Sequence, residues 1–184
     1  MNRRTGHLVG AALLLLTVAG CAAAHPATGV STGGPPTPAA AGAAGPSSAA
    51  RIVCADEAQE DISGALGTDT TEPVSPTWKD RLYSCRYIYR DGSMLLSVKD
   101  LPDAAATQAW YDGLKKAAPG ATPLTGLGDA AFAEPDGTVV LRKDATVLTV
   151  DVSALPASFG KPARPRASAA KTVATTVLIC WKEG

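Results

Sequence analysis

From residue 55 onward the hydrophobic positions follow two different periods, and the switches between them mark out elements. Across 55–66 the apolar side chains Ala58, Ile62 and Leu66 recur every four residues, which places them on one helical face. Asp56, Glu57 and Glu60 sit in the first turns, where the helix dipole favours negative charge, and Gly67 supplies the stop. Residues 68–76 read as a loop. Across 82–90 the period shortens to two: Tyr83, Cys85, Tyr87 and Tyr89 point one way, Ser84, Arg86 and Arg90 the other. Asp91-Gly92 is a hairpin signal, and 93–100 returns as a strand with Met94, Leu96 and Val98 inward. Residues 102–117 predict a second helix, opened by Pro102 and capped by Asp100 or Asp103, with Ala106, Trp110 and Leu114 as its buried stripe. Beyond turns rich in Gly and Pro come strands over 130–133, 138–143 and 146–152. A Pro-rich loop over 156–165 then precedes a last helix over 166–181. Antiparallel hairpins with one polar face need a cover on the other. The order αββαβββα therefore predicts an α+β fold, an antiparallel sheet of about five strands with three helices packed against its apolar side.

The chain before residue 51 has no such pattern. Arg3 and Arg4 precede an apolar run over 8–18, shorter than the roughly 20 residues a membrane span needs, and Val18-Ala19-Gly20 leads into Cys21. A positive head, a short apolar stretch and small residues before a cysteine resemble the lipobox of bacterial lipoproteins. A plain secretory leader that happens to contain a cysteine is the alternative. The resemblance implies a signal peptide over 1–20, cleavage before Cys21, and acyl chains on Cys21 that hold the protein on the extracytoplasmic face of the cell membrane. The rest of 21–50 contains only Ala, Gly, Pro, Ser and Thr apart from His25 and Val30. So little apolar surface cannot offset the entropy of ordering, which predicts a disordered tether and a single domain over 51–184.

Composition narrows the chemistry. The chain of 184 residues carries 17 basic and 17 acidic side chains. Loss of Arg3 and Arg4 with the leader leaves 15 against 17, about −2, which gives no positive excess for a nucleic-acid partner. The two histidines, His7 and His25, fall in the leader and the tether. A domain without histidine cannot build Ser-His-Asp or Cys-His catalysis, and with no paired ligand spacing a transition-metal site is not expected. Outside the cell a disulfide is the default for cysteine, and Cys54, Cys85 and Cys180 remain once Cys21 is lipidated. Cys54 with Cys85 would staple the first helix to the first strand, leaving Cys180 as a thiol; Cys54 with Cys180 is the alternative.

Several motifs suggest chemistry and have plainer explanations. Gly126-Leu127-Gly128-Asp129-Ala130-Ala131 fits G-x-G-x-x-A, but a dinucleotide fingerprint must follow a strand and open a helix, and here a turn precedes and a strand follows. Ser168-Ala169-Ala170-Lys171 fits S-x-x-K without the other elements of penicillin-binding enzymes. Lys161, Arg164 and Arg166 gather positive charge at the start of the last helix, a candidate contact for phosphate headgroups. Arg86 and Arg90, with Trp78, are candidates for lining a ligand groove. Catalysis without histidine would need paired carboxylates, for which Asp129, Glu134 and Asp136 are available in turns.

Cys54, the helix end Ala65-Leu66-Gly67, Cys85-Arg86-Tyr87 and Thr125-Gly126-Leu127-Gly128-Asp129-Ala130-Ala131-Phe132 together resemble small actinobacterial lipoproteins that share a domain of unknown function. More distantly they resemble the extracellular sensor domains of mycobacterial serine/threonine kinases. The resemblance implies an antiparallel sheet flanked by helices, a Cys54 to Cys85 link, and ligand binding without enzyme activity. The expectation is a membrane-anchored, cofactor-free module that binds a small molecule, a lipid or an envelope protein. A structural or accessory subunit docking on another envelope protein is the alternative, and a hydrolase a lesser one.

Overall fold

A computed structural model describes residues 45–183. The expected leader, Cys21 and the tether as far as residue 44 lie outside the described residues. The chain forms α1 (Ser48–Ile52) and α2 (Asp56–Leu66), then a meander of β1 (Pro76–Lys79), β2 (Leu82–Tyr89) and β3 (Gly92–Asp100). After α3 (Ala104–Ala117) a second meander follows: β4 (Thr122–Leu124), β5 (Ala130–Ala133), β6 (Val139–Lys143) and β7 (Thr146–Asp151). A short ribbon of β8 (Ser158–Phe159) and β9 (Arg164–Pro165) leads into α4 (Arg166–Glu183).

The two meanders join through their last strands, β3 against β7, into one antiparallel sheet of order β1-β2-β3-β7-β6-β5-β4. The α+β class therefore holds, but the counts change: the sheet has 7 strands rather than about five, and the described residues form four helices rather than three. The unforeseen strands β1 and β4 are the two edges. They are 4 and 3 residues long and contain Pro76 and Pro123, so neither offers an alternation to read. Edge prolines also remove donors from the outer rows and discourage pairing with another sheet.

The unforeseen helix α1 starts inside the stretch whose composition predicts tether. Ser47 accepts from Ala50 N at 3.0 Å, and the Asp100 carboxylate takes Ser47 N at 2.8 Å and Ser47 Oγ at 2.7 Å. With Ala50 fully buried, folded chain begins ahead of the expected boundary at residue 51. Composition could not show this, because the partner of Ser47 lies at the end of β3.

Alternation along the strands sorts side chains onto two faces. On the first, Leu96, Val98, Leu141, Leu148 and Val150 are roofed by Val53 after α1, Ile62 and Leu66 of α2, and Val173 and Val177 of α4. On the second, Phe132, Val140 and Val147 meet Tyr111 of α3 and Ala118 just beyond it. Helices thus cover both faces, which corrects the expectation of one apolar side. The cause is visible in β6 and β7, where Val139-Val140-Leu141 and Val147-Leu148 are continuous apolar runs of the kind that strands buried on both faces carry.

The buried stripe of α3 is also corrected. Thr107 and Tyr111 face the sheet, whereas Trp110 is 42% exposed. The two stripes are one residue, about 100°, apart on a helix, and packing decides between them. Tyr111 meets the Phe132 ring edge-on at 5.3 Å, and Thr107 can be buried because its hydroxyl donates to Asp103 O at 2.6 Å.

Cys54 and Cys85 form a disulfide, with Cα atoms 5.7 Å apart, that staples the chain between α1 and α2 to the centre of β2. Beside it Tyr87 donates its hydroxyl to Val53 O at 2.8 Å. Burial first, and the neighbouring Tyr89 second, hold the Tyr87 phenol well above its usual range, so it stays a donor. Cys180 is a buried thiol in α4, its Sγ 3.7 Å from Asp61 Oδ2 of α2.

Candidate functional site

Because α3 lies over β5, β6 and β7, the same face of β1, β2 and β3 is left open. Its outward positions place an aliphatic floor of Leu82, Ile88 and Leu95 among the cations Lys79, Arg86 and Lys99. The register sets Leu82 opposite Lys99 and Arg86 opposite Leu95. Leu82 is 38% exposed, a large apolar side chain presented to water from a rigid strand. Trp110 borders this floor from α3. The Lys99 ammonium stands 4.7 Å from the centroid of its ring and also donates to Asp80 O. Arg86 is exposed and its Nη1 donates to Ser93 Oγ at 3.3 Å, one of the five N–H groups its guanidinium carries. The outward positions of these three strands carry no carboxylate. The exposed Asp80 and Asp91 lie in the turns at the two ends of β2, and Asp151 on neighbouring β7 accepts at Oδ1 from Ser153 N at 2.9 Å and Thr138 Oγ1 at 3.4 Å.

The structure does not bring Trp78, Arg86 and Arg90 together. Trp78 pairs with Tyr83 in the register, with ring centroids 6.4 Å apart, and therefore lies on the face of Cys85, away from Arg86. Arg90 is exposed in the turn between β2 and β3. Without β1 in view, the side on which Trp78 falls could not be read. Trp78 instead borders a hollow of about 300 Å³ at the start of the described chain, with Ser47, Arg81, Asp100, Leu101 and Thr146. The polar groups of this hollow are already engaged: Ser47 holds both Asp100 oxygens, and Arg81 donates Nε to Asp100 O at 3.1 Å.

The basic candidates at α4 divide. Arg166 donates Nη1 to Leu155 O at 3.1 Å and Ser153 O at 3.4 Å, which closes the preceding loop onto the helix. Lys161 keeps an exposed side chain, while its backbone N–H binds Leu66 O at 2.7 Å. Arg164 is half-buried in the ribbon strand β9. Two of the three are thus placed by the fold rather than offered together.

The glycine motif is structural. Leu127 is buried in the main core, and Asp129 holds Asp144 N at 3.1 Å and the Arg142 guanidinium at 3.9 Å. Gly128 has φ +58, and a Cβ there would lie 2.5 Å from Arg142 O, so no other residue fits. A strand follows the motif, not a helix. Ser168 and Lys171 are exposed on the first turns of α4. Of the carboxylates, Glu134 is affected by Asp136 and Asp151 rather than Asp129. Burial chiefly, and then those two charges, hold its carboxyl above the usual range.

Sequence reasoning missed Lys99, Lys79 and the floor of Leu82, Ile88 and Leu95. The signal was present, since these apolar residues occupy strand positions assigned to solvent. In comparisons with family models, with curated proteins and with solved structures, nothing matches this chain. Among the described residues no helix is long and apolar enough to cross a membrane, and no three His, Cys, Asp or Glu side chains converge as metal ligands would.

Proposed function

We propose that the chain is an extracytoplasmic lipoprotein, held at the cell membrane through acyl chains on Cys21, whose α+β domain grips a ligand or partner and performs no catalysis. The open half of the second sheet face carries this reading. An aliphatic floor flanked by cations on three rigid strands is a surface that a domain otherwise covers or charges throughout. The engaged state of the other candidates supports the same reading, because Arg166, Asp129 and Asp100 are each occupied in holding loops or the chain start. With no histidine between residues 45 and 183, the domain has no imidazole to act as a base beside a hydroxyl or thiol. The resemblance to actinobacterial lipoproteins supports a role in the cell envelope.

Native purification of the protein from its own host, followed by mass spectrometry of everything retained, tests this. The expected result is a diacylglyceryl thioether on Cys21 and a retained small molecule, lipid or envelope protein that is lost from Leu82→Asp. An unmodified Cys21 thiol would overturn the anchor, and equal retention by Leu82→Asp would overturn the assigned face.

A further inference from the structure

We propose that the open face docks on an anionic phospholipid bilayer, so that the anchored domain lies against the membrane. This deepens the binding reading above and draws on the Cys21 anchor for its strength, although not for its surface. Lys79, Arg86 and Lys99 supply positive charge with no carboxylate among the outward positions of their strands, which complements an anionic surface. Between them Leu82 and Leu95 present aliphatic groups that can enter the headgroup layer. Trp110 stands at the rim, where an amphipathic ring is favoured at a lipid interface. On the far side of the sheet the acidic Asp56, Glu57, Glu60 and Asp61 of α2 share the surface with the basic Lys161, Arg164 and Lys171 at α4, so that side lacks the unmixed positive charge of the open face.

The described chain starts at one end of the sheet, on the side of Trp78 rather than of Arg86, so it lets the open face reach a membrane without selecting it. Gly45 lines the hollow beside Trp78, Arg81 and Leu101, at the end of the sheet where Leu82 faces Lys99. About 24 residues separate Cys21 from Gly45, which bounds the distance between them at roughly 80 Å. A leash of that reach sets a local concentration in the millimolar range, so even a face of millimolar affinity is occupied. A flat lipid surface fits better than a small soluble anion. The floor spreads over three adjacent strands, a shape that matches a surface rather than a single small ion.

Every residue of both cores lies between Ala50 and Leu178, so the chain from residue 21 onward, with Cys21→Ser, keeps the whole fold and can bind lipid only through its surface. It is sedimented with vesicles of phosphatidylcholine alone and of phosphatidylcholine with phosphatidylglycerol. The expected result is binding to the anionic vesicles that salt weakens. Lys79→Glu with Arg86→Glu, both exposed, should lower it at least about tenfold. Lys161→Glu with Lys171→Glu, on the α4 side, should change it less than about twofold, and unchanged thermal unfolding would show that each pair folds. Absence of binding to anionic vesicles, or a greater loss from the α4 pair, overturns the docking. If docking fails while native purification still yields a ligand lost from Leu82→Asp, the function stands without this inference. If the vesicles bind while Cys21 is unmodified, the docking stands and the anchor fails.

Discussion

The two faces of the sheet share the same strands and differ in their cover. The first face has three helices over it, the disulfide beneath one end, and a buried floor running from β2 across to β5. The second has α3 alone. A helix about 10 Å across roofs two or three strands spaced about 4.8 Å apart, so one helix cannot close a seven-stranded sheet. Three helices can. What is left over is the outer side of β1, β2 and β3, the surface proposed for binding, and its exposure follows from how much roof the chain can supply.

The largest effect that would break this contrast concerns the first face. Cys54→Ala with Cys85→Ala opens a link between residues 31 apart, and unfolding in urea should show a loss of about 3 to 4 kcal/mol. A loss under about 1 kcal/mol would mean that the helices close this face without the staple.

On the second face, Tyr111→Ala should cost about 3 kcal/mol, because it empties the contact with Phe132 under α3. Trp110→Ala should cost under about 1 kcal/mol, since that residue is 42% exposed and lies outside both buried cores. The opposite ranking would restore the stripe that the helical period alone predicts.

The smallest effect lies at the corner of the second face where Glu134 feels Asp136 and Asp151. Burial chiefly, and those charges next, raise its carboxyl above the usual range, so the folded state binds the proton more tightly than the unfolded chain does. The group therefore costs nothing below its unfolded pKa, and costs stability once pH has risen through the folded value. Glu134→Gln should raise the unfolding midpoint slightly at neutral pH and leave it unchanged near about pH 3. The same rise at both pH values would show that the gain does not come from the charge.

Much of the fold was legible where the chain repeats a period for long enough. The α2 stripe and the β2 and β3 hairpin follow from spacing, whereas the residues leave two pairings open for Cys54 and the family resemblance favours Cys85. β1 and β4 escaped because strands of 4 and 3 residues are shorter than a readable pattern, and α1 because its hold comes from Asp100 across the fold. The candidate site was half legible. Arg86 was placed on the right face, Trp78 could not be assigned to a side without its partner strand, and Lys99 drew no attention as an ordinary outward charge.

By itself the sequence determined the α+β class, the lack of histidine from residue 45 onward, and which residues share a side of each long strand. Only the tertiary structure decided that α3 crosses to the second face, that Tyr111 rather than Trp110 turns inward, and that three strands stay uncovered. Periodicity is a property of one element and records which side chains point together. Which side is roofed depends on the helices that reach it, and their reach is set by contacts between residues far apart in the chain.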